Sequence, residues 1–166
     1  PNSTYVACEP STKTFDGLCE LGEWLKILQP SFTYTVYHLP YEDCDLSGYD
    51  KFDVALTSPP YYDTETYSDE ETNSCNRYTS YENWVEGFYE PFIEKTISLI
   101  SDDASFILNV GERKYPLAKS MYEICKKHEI FANEIDSYLV GRGEGREKFY
   151  HLSKKKKQLT IQTDLF

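Results

Sequence analysis

The chain is short of positive charge. Lys and Arg number 17 against 28 Asp and Glu, leaving a formal net charge of −11. That balance excludes a protein that coats nucleic acid with its whole surface, because phosphate contacts draw on Lys and Arg. Any basic face must be local, or be supplied by other parts of the protein. Paired cysteines are lacking too. Cys8, Cys19, Cys44, Cys75 and Cys125 are odd in number and scattered, with no C-x-x-C pair, and His38, His128 and His151 have no ligand spacing. Neither a zinc site nor a disulfide framework is supported, so no metal is expected. Scattered thiols suit a reducing, cytoplasmic compartment. No long apolar run and no secretory pattern is seen, so the expectation is a protein without a membrane span. Repeats and dividing linkers are also missing, and the length suits one domain with a real core.

What is present is an alternation of strand and helix patterns. Tyr5-Val6-Ala7-Cys8 is a short apolar strand signal that ends at Glu9. From Thr14 to Leu28, Phe15, Leu18, Leu21, Trp24, Leu25 and Leu28 recur at helical spacing, closed by Pro30. Phe32 to His38 alternates as a second strand, and Phe52 to Leu56 reads as a third, buried one. Residues 62–76 carry no periodicity and read as an acidic loop. Thr79 with Glu82 forms a capping-box pattern before a helix whose stripe is Trp84, Phe88, Phe92, Ile93 and Ile97, with a kink expected at Pro91. A strand over Ala104 to Val110, a helix over Pro116 to Lys127 and a strand over Ile130 to Val140 follow. Gly141 to Gly145 reads as a turn into a returning strand over Glu147 to Leu152, and Gln158 to Gln162 as a further pairing segment. The pattern predicts an α/β fold: a mostly parallel sheet with helices on both faces and a terminal antiparallel hairpin.

The most informative residues follow the third strand directly: Ser58-Pro59-Pro60-Tyr61. Successive prolines remove N–H donors and hold the backbone extended, leaving carbonyls free to accept. Ser58 adds another acceptor and Tyr61 a ring. The box resembles the catalytic loop of S-adenosylmethionine-dependent DNA amino-methyltransferases, of the cytosine-N4 and adenine-N6 type. The resemblance implies a class I methyltransferase (Rossmann-like) fold over residues 1–157, with 158–166 as a tail. It also implies S-adenosyl-L-methionine as cofactor and a DNA base flipped out of the duplex as substrate. Ser58, Pro59, Pro60 and Tyr61 become the catalytic residues: Ser58 Oγ and the Pro59 carbonyl would hold the amino group while Tyr61 stacks on the base. Serine in the first position resembles cytosine-N4 enzymes more than adenine-N6 enzymes.

In such a sheet, ligands bind beyond the carboxyl ends of the strands. Val6-Ala7-Cys8-Glu9-Pro10-Ser11 resembles the family's second-strand motif, whose acid holds the ribose, so Glu9 and Pro10 are cofactor candidates. Glu42 or Asp43, just after the next strand, would accept from the adenine amino group. The family's Gly-rich first turn is missing ahead of Tyr5, so the chain is expected to start at the second strand, with the first lying upstream. A degenerate or split, non-catalytic nucleic-acid-binding module is therefore the competing reading. Tyr62, Asp63, Glu65 and Tyr67 are candidates for closing over the base, and Asn109 for lining the pocket or ending its strand. Arg142, Arg146 and Lys148, with Lys154 to Lys157, form the concentrated basic stretch and are the DNA-phosphate candidates. Gln162-Thr163-Asp164-Leu165-Phe166 looks like the short tail by which bacterial replication and repair proteins dock on the sliding clamp.

Overall fold

The computed structural model describes residues 3–64, 69–111, 114–135 and 148–155. The chain forms two compact units. One comprises Pro1–Gly48 with Pro60–Phe92, the other Tyr49–Pro59 with Ile93–Phe166. The chain passes from one unit to the other between Pro59 and Pro60, inside the Ser-Pro-Pro-Tyr box.

In the first unit, β1 (Thr4–Cys8) and β2 (Thr33–Tyr37) pair in parallel, with Thr4 opposite Thr33 and Cys8 opposite Tyr37. The crossover between them is α1 (Thr12–Leu28). Its packing differs from the expected apolar stripe. Gly22 is its buried residue, and a Cβ there would overlap the Tyr34 ring of β2. The helix thus approaches the strand through a residue without a side chain, and Leu21, Trp24 and Leu28, expected in the core, are exposed.

A 3-10 turn (Tyr41–Asp43) follows β2. Later in this unit come a single helical turn, α2 (Ser74–Arg77), then α3 (Tyr81–Trp84) running into a π-helical turn (Val85–Tyr89) and on into α4 (Glu90–Leu99), whose residues from Ile93 onward belong to the second unit. Ser80, not Thr79, caps this helix: its Oγ accepts from the Asn83 N–H at 3.1 Å. The expected kink at Pro91 takes the form of the π-turn just before it. Proline offers no N–H to the carbonyl four residues back, and its ring crowds that carbonyl, here Gly87. Widening the preceding turn relieves the crowding. Trp84, Tyr89, Phe88 and Phe92 form the aromatic core of the unit, with Trp84 stacked on Tyr89 at 5.2 Å and fully buried.

In the second unit, β3 (Phe52–Thr57), β4 (Ile100–Val110), β5 (Phe131–Ile135) and β6 (Lys148–Ser153) form a sheet in the order β3-β4-β6-β5. β3 and β4 are parallel, while β6 is antiparallel to both β4 and β5. Among the described residues, β6 thus lies between β4 and β5, and β5 is at the edge. Alternate residues of β4, Phe106, Leu108 and Val110, are buried, as are Leu117, Met121 and Ile124 of α5 (Leu117–Lys127). One expectation fails here: β3 is not a buried strand. Val54 is 63% and Leu56 70% exposed. Parallel strands are ordinarily covered on both faces, and among the described residues this face of β3 is uncovered. The turn at Gly141 to Gly145 and the segment Gln158 to Gln162 lie outside the described residues.

Candidate functional site

Glu9 sits one residue past β1 and extends the ladder, its N–H donating to the Tyr37 carbonyl at 2.9 Å. The side chain turns toward the start of α1, where Oε1 accepts from the Ser11 N–H at 2.8 Å. A carboxylate held at a helix N-terminus is favoured by the helix dipole. Its second oxygen has no hydrogen-bond partner among the described residues, which suits a ribose hydroxyl. Pro10 is half-buried beside it.

The second acidic corner is built by the turn after β2. Pro40 precedes the 3-10 turn, and the Asp43 and Cys44 N–H groups donate to the Pro40 and Tyr41 carbonyls at 3.1 and 3.3 Å. Both candidate carboxylates are taken by one residue. Arg77 Nη1 donates to Glu42 Oε1 at 2.8 Å and to Asp43 Oδ2 at 2.9 Å, and Nη2 donates to Asp43 Oδ1 at 3.3 Å. The hydrogen bond to Asp43, then the charges of Glu42 and Asp43, hold the guanidinium above its ordinary pKa against the burial that opposes them. A carboxylate oxygen has more than one lone pair, so an adenine amino group can still find an acceptor here. It must share that acceptor with Arg77. Sequence reasoning missed Arg77. The available signal was its isolation: it is the single basic residue between Tyr62 and Tyr78.

The same segment also reaches the Glu9 corner. Thr12, at the start of α1, donates from Oγ1 to Glu70 Oε1 at 2.7 Å, and its N–H lies 3.3 and 3.4 Å from the two Glu70 oxygens. Asn76 Nδ2 donates to the Glu70 carbonyl at 2.9 Å. The buried Trp84 Nε1–H donates to Ser74 Oγ at 3.2 Å. Residues 70–78 are therefore pinned to both acidic corners and to the aromatic core of their unit.

The Ser-Pro-Pro-Tyr box begins where β3 ends. Ser58 is exposed, Pro59 buried and Pro60 half-buried. Tyr61 is only 4% exposed. Its carbonyl accepts from the Thr64 N–H at 3.1 Å, closing a turn. The ring is thus buried instead of lying open for a base. Tyr62 has φ of 55°, a left-handed conformation that costs an aromatic residue energy and persists only where surroundings enforce it. Its ring lies against Tyr81 and Trp84, at 6.1 and 6.0 Å, and its hydroxyl donates to the Tyr78 carbonyl at 3.2 Å.

Asn109 lies within β4 and donates from Nδ2 to the Lys148 carbonyl at 3.3 Å, bracing β6. Lys148 is ion-paired with Glu134 at 2.9 Å, and Lys154 and Lys155 approach Asp102 at 3.7 and 2.9 Å. These candidate phosphate contacts carry acidic partners of their own. Arg142, Arg146, Lys156, Lys157, Glu65, Tyr67 and the Gln162 to Phe166 tail lie outside the described residues. No described helix is long and apolar enough to cross a membrane.

No protein-family model matches the chain, and no curated protein matches it in sequence. Solved structures do. The chain is similar to a methyltransferase from Pyrococcus furiosus at 15% identity, covering 89% of this chain and 61% of that one, with a TM-score of 0.53. It is similar at a TM-score of 0.49 and 10% identity to Trm5b from Pyrococcus abyssi, over 92% of this chain and 44% of that one. A TehB-like SAM-dependent methyltransferase from Corynebacterium glutamicum follows at 0.46 and 12%, over 93% and 81%. The chain thus spans less than two thirds of the first two proteins' length. The Pyrococcus furiosus likeness, the parallel strand pairs and the antiparallel hairpin define the fold as the class I methyltransferase, Rossmann-like one.

Proposed function

We propose that this chain carries the methyl-transfer centre of an S-adenosylmethionine-dependent enzyme acting on the exocyclic amino group of a DNA base, cytosine N4 before adenine N6. The observation that carries this reading is local. A strand in parallel pairing, β3, hands directly to Ser58-Pro59-Pro60-Tyr61, with the serine exposed at the strand's carboxyl end. In open α/β sheets that is where ligands bind. The nucleoside end of the cofactor suits Glu9, just past β1, with Glu42 and Asp43 in the turn after the paired strand β2. Bound there, the cofactor supplies an electrophilic methyl on sulfur.

The residues of the chain then have defined tasks. The amine lone pair is delocalised into the base ring and is a poor nucleophile. Ser58 Oγ and the Pro59 carbonyl accept from its N–H groups and favour a nitrogen whose lone pair points at the methyl. The methyl would pass from sulfur, which would keep the C–S electron pair, to the amine nitrogen held by Ser58 and Pro59, and the amine proton would leave to solvent. Positioning and electrostatics supply the rate. Stacking by Tyr61 requires its ring to swing out of the core.

The test is labelled methyl transfer by the complete natural protein to DNA, with RNA and protein as parallel acceptors. Ser58→Ala is expected to lower kcat on the order of 100-fold with cofactor affinity unchanged. Transfer to RNA or protein in place of DNA would move the substrate and keep the centre. A second reading, a non-catalytic nucleic-acid-binding module, is favoured by the burial of Tyr61 and by the Arg77 fork on Glu42 and Asp43. Calorimetry with S-adenosylhomocysteine separates the two, since the module has no need to bind it.

A further inference from the structure

Pro91 has no N–H to give the Gly87 carbonyl, and the structure fills that vacancy from elsewhere in the chain. The Tyr78 hydroxyl donates to the Gly87 carbonyl at 2.6 Å. It gets there because Gly87 has no side chain: a Cβ would overlap the Tyr78 ring. Burial, then the charge of Glu42, holds the Tyr78 phenol above its ordinary pKa, so it stays a donor. From this anchored residue, contacts run two ways. The Tyr78 carbonyl accepts from the Tyr62 hydroxyl, one residue beyond the box. The preceding residue, Arg77, forks onto Glu42 and Asp43.

We propose that Arg77 and Tyr78 are positioning residues that couple the Glu42–Asp43 corner to the backbone of the Ser-Pro-Pro-Tyr box. The inference rests on the reading above for what the two ends do, but the coupling itself belongs to the free protein. Tyr62 sits at a left-handed φ beside the box, and its hydroxyl and ring contacts hold it there. Anything that shifts Arg77 shifts the Tyr78 carbonyl bonded to it through the chain, and with it the anchor of Tyr62. A nucleoside that draws Glu42 or Asp43 away from Arg77 therefore loosens or resets the turn that presents the box. Coupling of this kind is reciprocal.

Amide hydrogen exchange on the complete protein without ligand tests it. The Thr64 N–H, bonded to the Tyr61 carbonyl, reports the box turn; the Asp43 and Cys44 N–H groups report the acidic corner; the Trp84 N–H, bonded to the Ser80 carbonyl, is the folding control. Arg77→Ala is expected to speed exchange at Thr64 about fivefold or more while Trp84 holds. Tyr62→Phe, which removes one hydroxyl, is expected to speed exchange at Asp43 and Cys44. Arg77→Lys, able to meet one carboxylate but not to form the fork, should fall between wild type and alanine. Each substitution perturbing only its own end would overturn the proposal. If Arg77→Ala also loses protection at Trp84, the Tyr62→Phe result at Asp43 and Cys44 decides. Failure of the function reading would show instead as no binding of S-adenosylhomocysteine, with the exchange coupling intact.

Discussion

Gly87 is a place where a single added methyl has a defined consequence. Its Cβ would occupy the space of the Tyr78 ring, whose hydroxyl is the partner of the Gly87 carbonyl. Gly87→Ala is therefore expected to destabilise the protein by about 1–3 kcal/mol, the range for overpacking, despite alanine's better helix propensity. Urea unfolding checks this, and an unchanged or raised midpoint would show that Tyr78 can move without loss. Cys125 makes a different residue-scale statement. Burial alone pushes its thiol up to about 12, so it carries almost no thiolate near neutrality. In native protein treated with iodoacetamide at about pH 8.5, it should stay unlabelled while half-buried Cys8 and Cys19 react. Labelling of Cys125 at their rate would show that the α5 face opens.

Among the elements, the helix start at Ser80 separates pattern from structure. Thr79 and Glu82 match the capping box in spacing, yet the Ser80 hydroxyl receives the Asn83 N–H. Ser80→Ala should cost about 1 kcal/mol and Thr79→Ala much less; the reverse order in thermal unfolding would restore the capping box. The strands and helices were legible because periodicity is a local property of the chain. Strand order was not: β6 lies between β4 and β5 through long-range pairing that no local pattern encodes. The exposure of Val54 and Leu56 was equally hidden, since an apolar run marks a strand without showing what covers it. At the candidate site, the placement of the acids just past β1 and β2 and of the box just past β3 could be read from the strand pattern. Arg77 stood out only by its isolation, because its fork onto Asp43 spans 34 residues of sequence. Pro91 announced a disturbed helix, but only the packing shows that Tyr78 meets the carbonyl it leaves behind.

At the scale of the whole molecule, the acidic balance bears on the proposed contact with DNA. Lys155 lies 2.9 Å from Asp102, and its hydrogen bond, then its charge, holds the Asp102 carboxyl below the usual range. If the basic run faces phosphate, Asp102→Asn frees Lys154 and Lys155 from a competing anion. DNA affinity should then rise and its log–log salt dependence steepen by about one for each freed cation. An unchanged slope would assign these lysines to the protein's own surface. The proposed chemistry makes a base NH2 the acceptor of the methyl. Its most direct test is mass analysis of nucleosides from DNA incubated with the complete protein and S-adenosylmethionine labelled in the methyl with deuterium. Transfer to cytosine N4 puts the label in 4-methylcytosine, and Ser58→Ala is expected to abolish it. Label on a ring carbon or in no nucleoside at all, from protein that binds the cofactor, would contradict it.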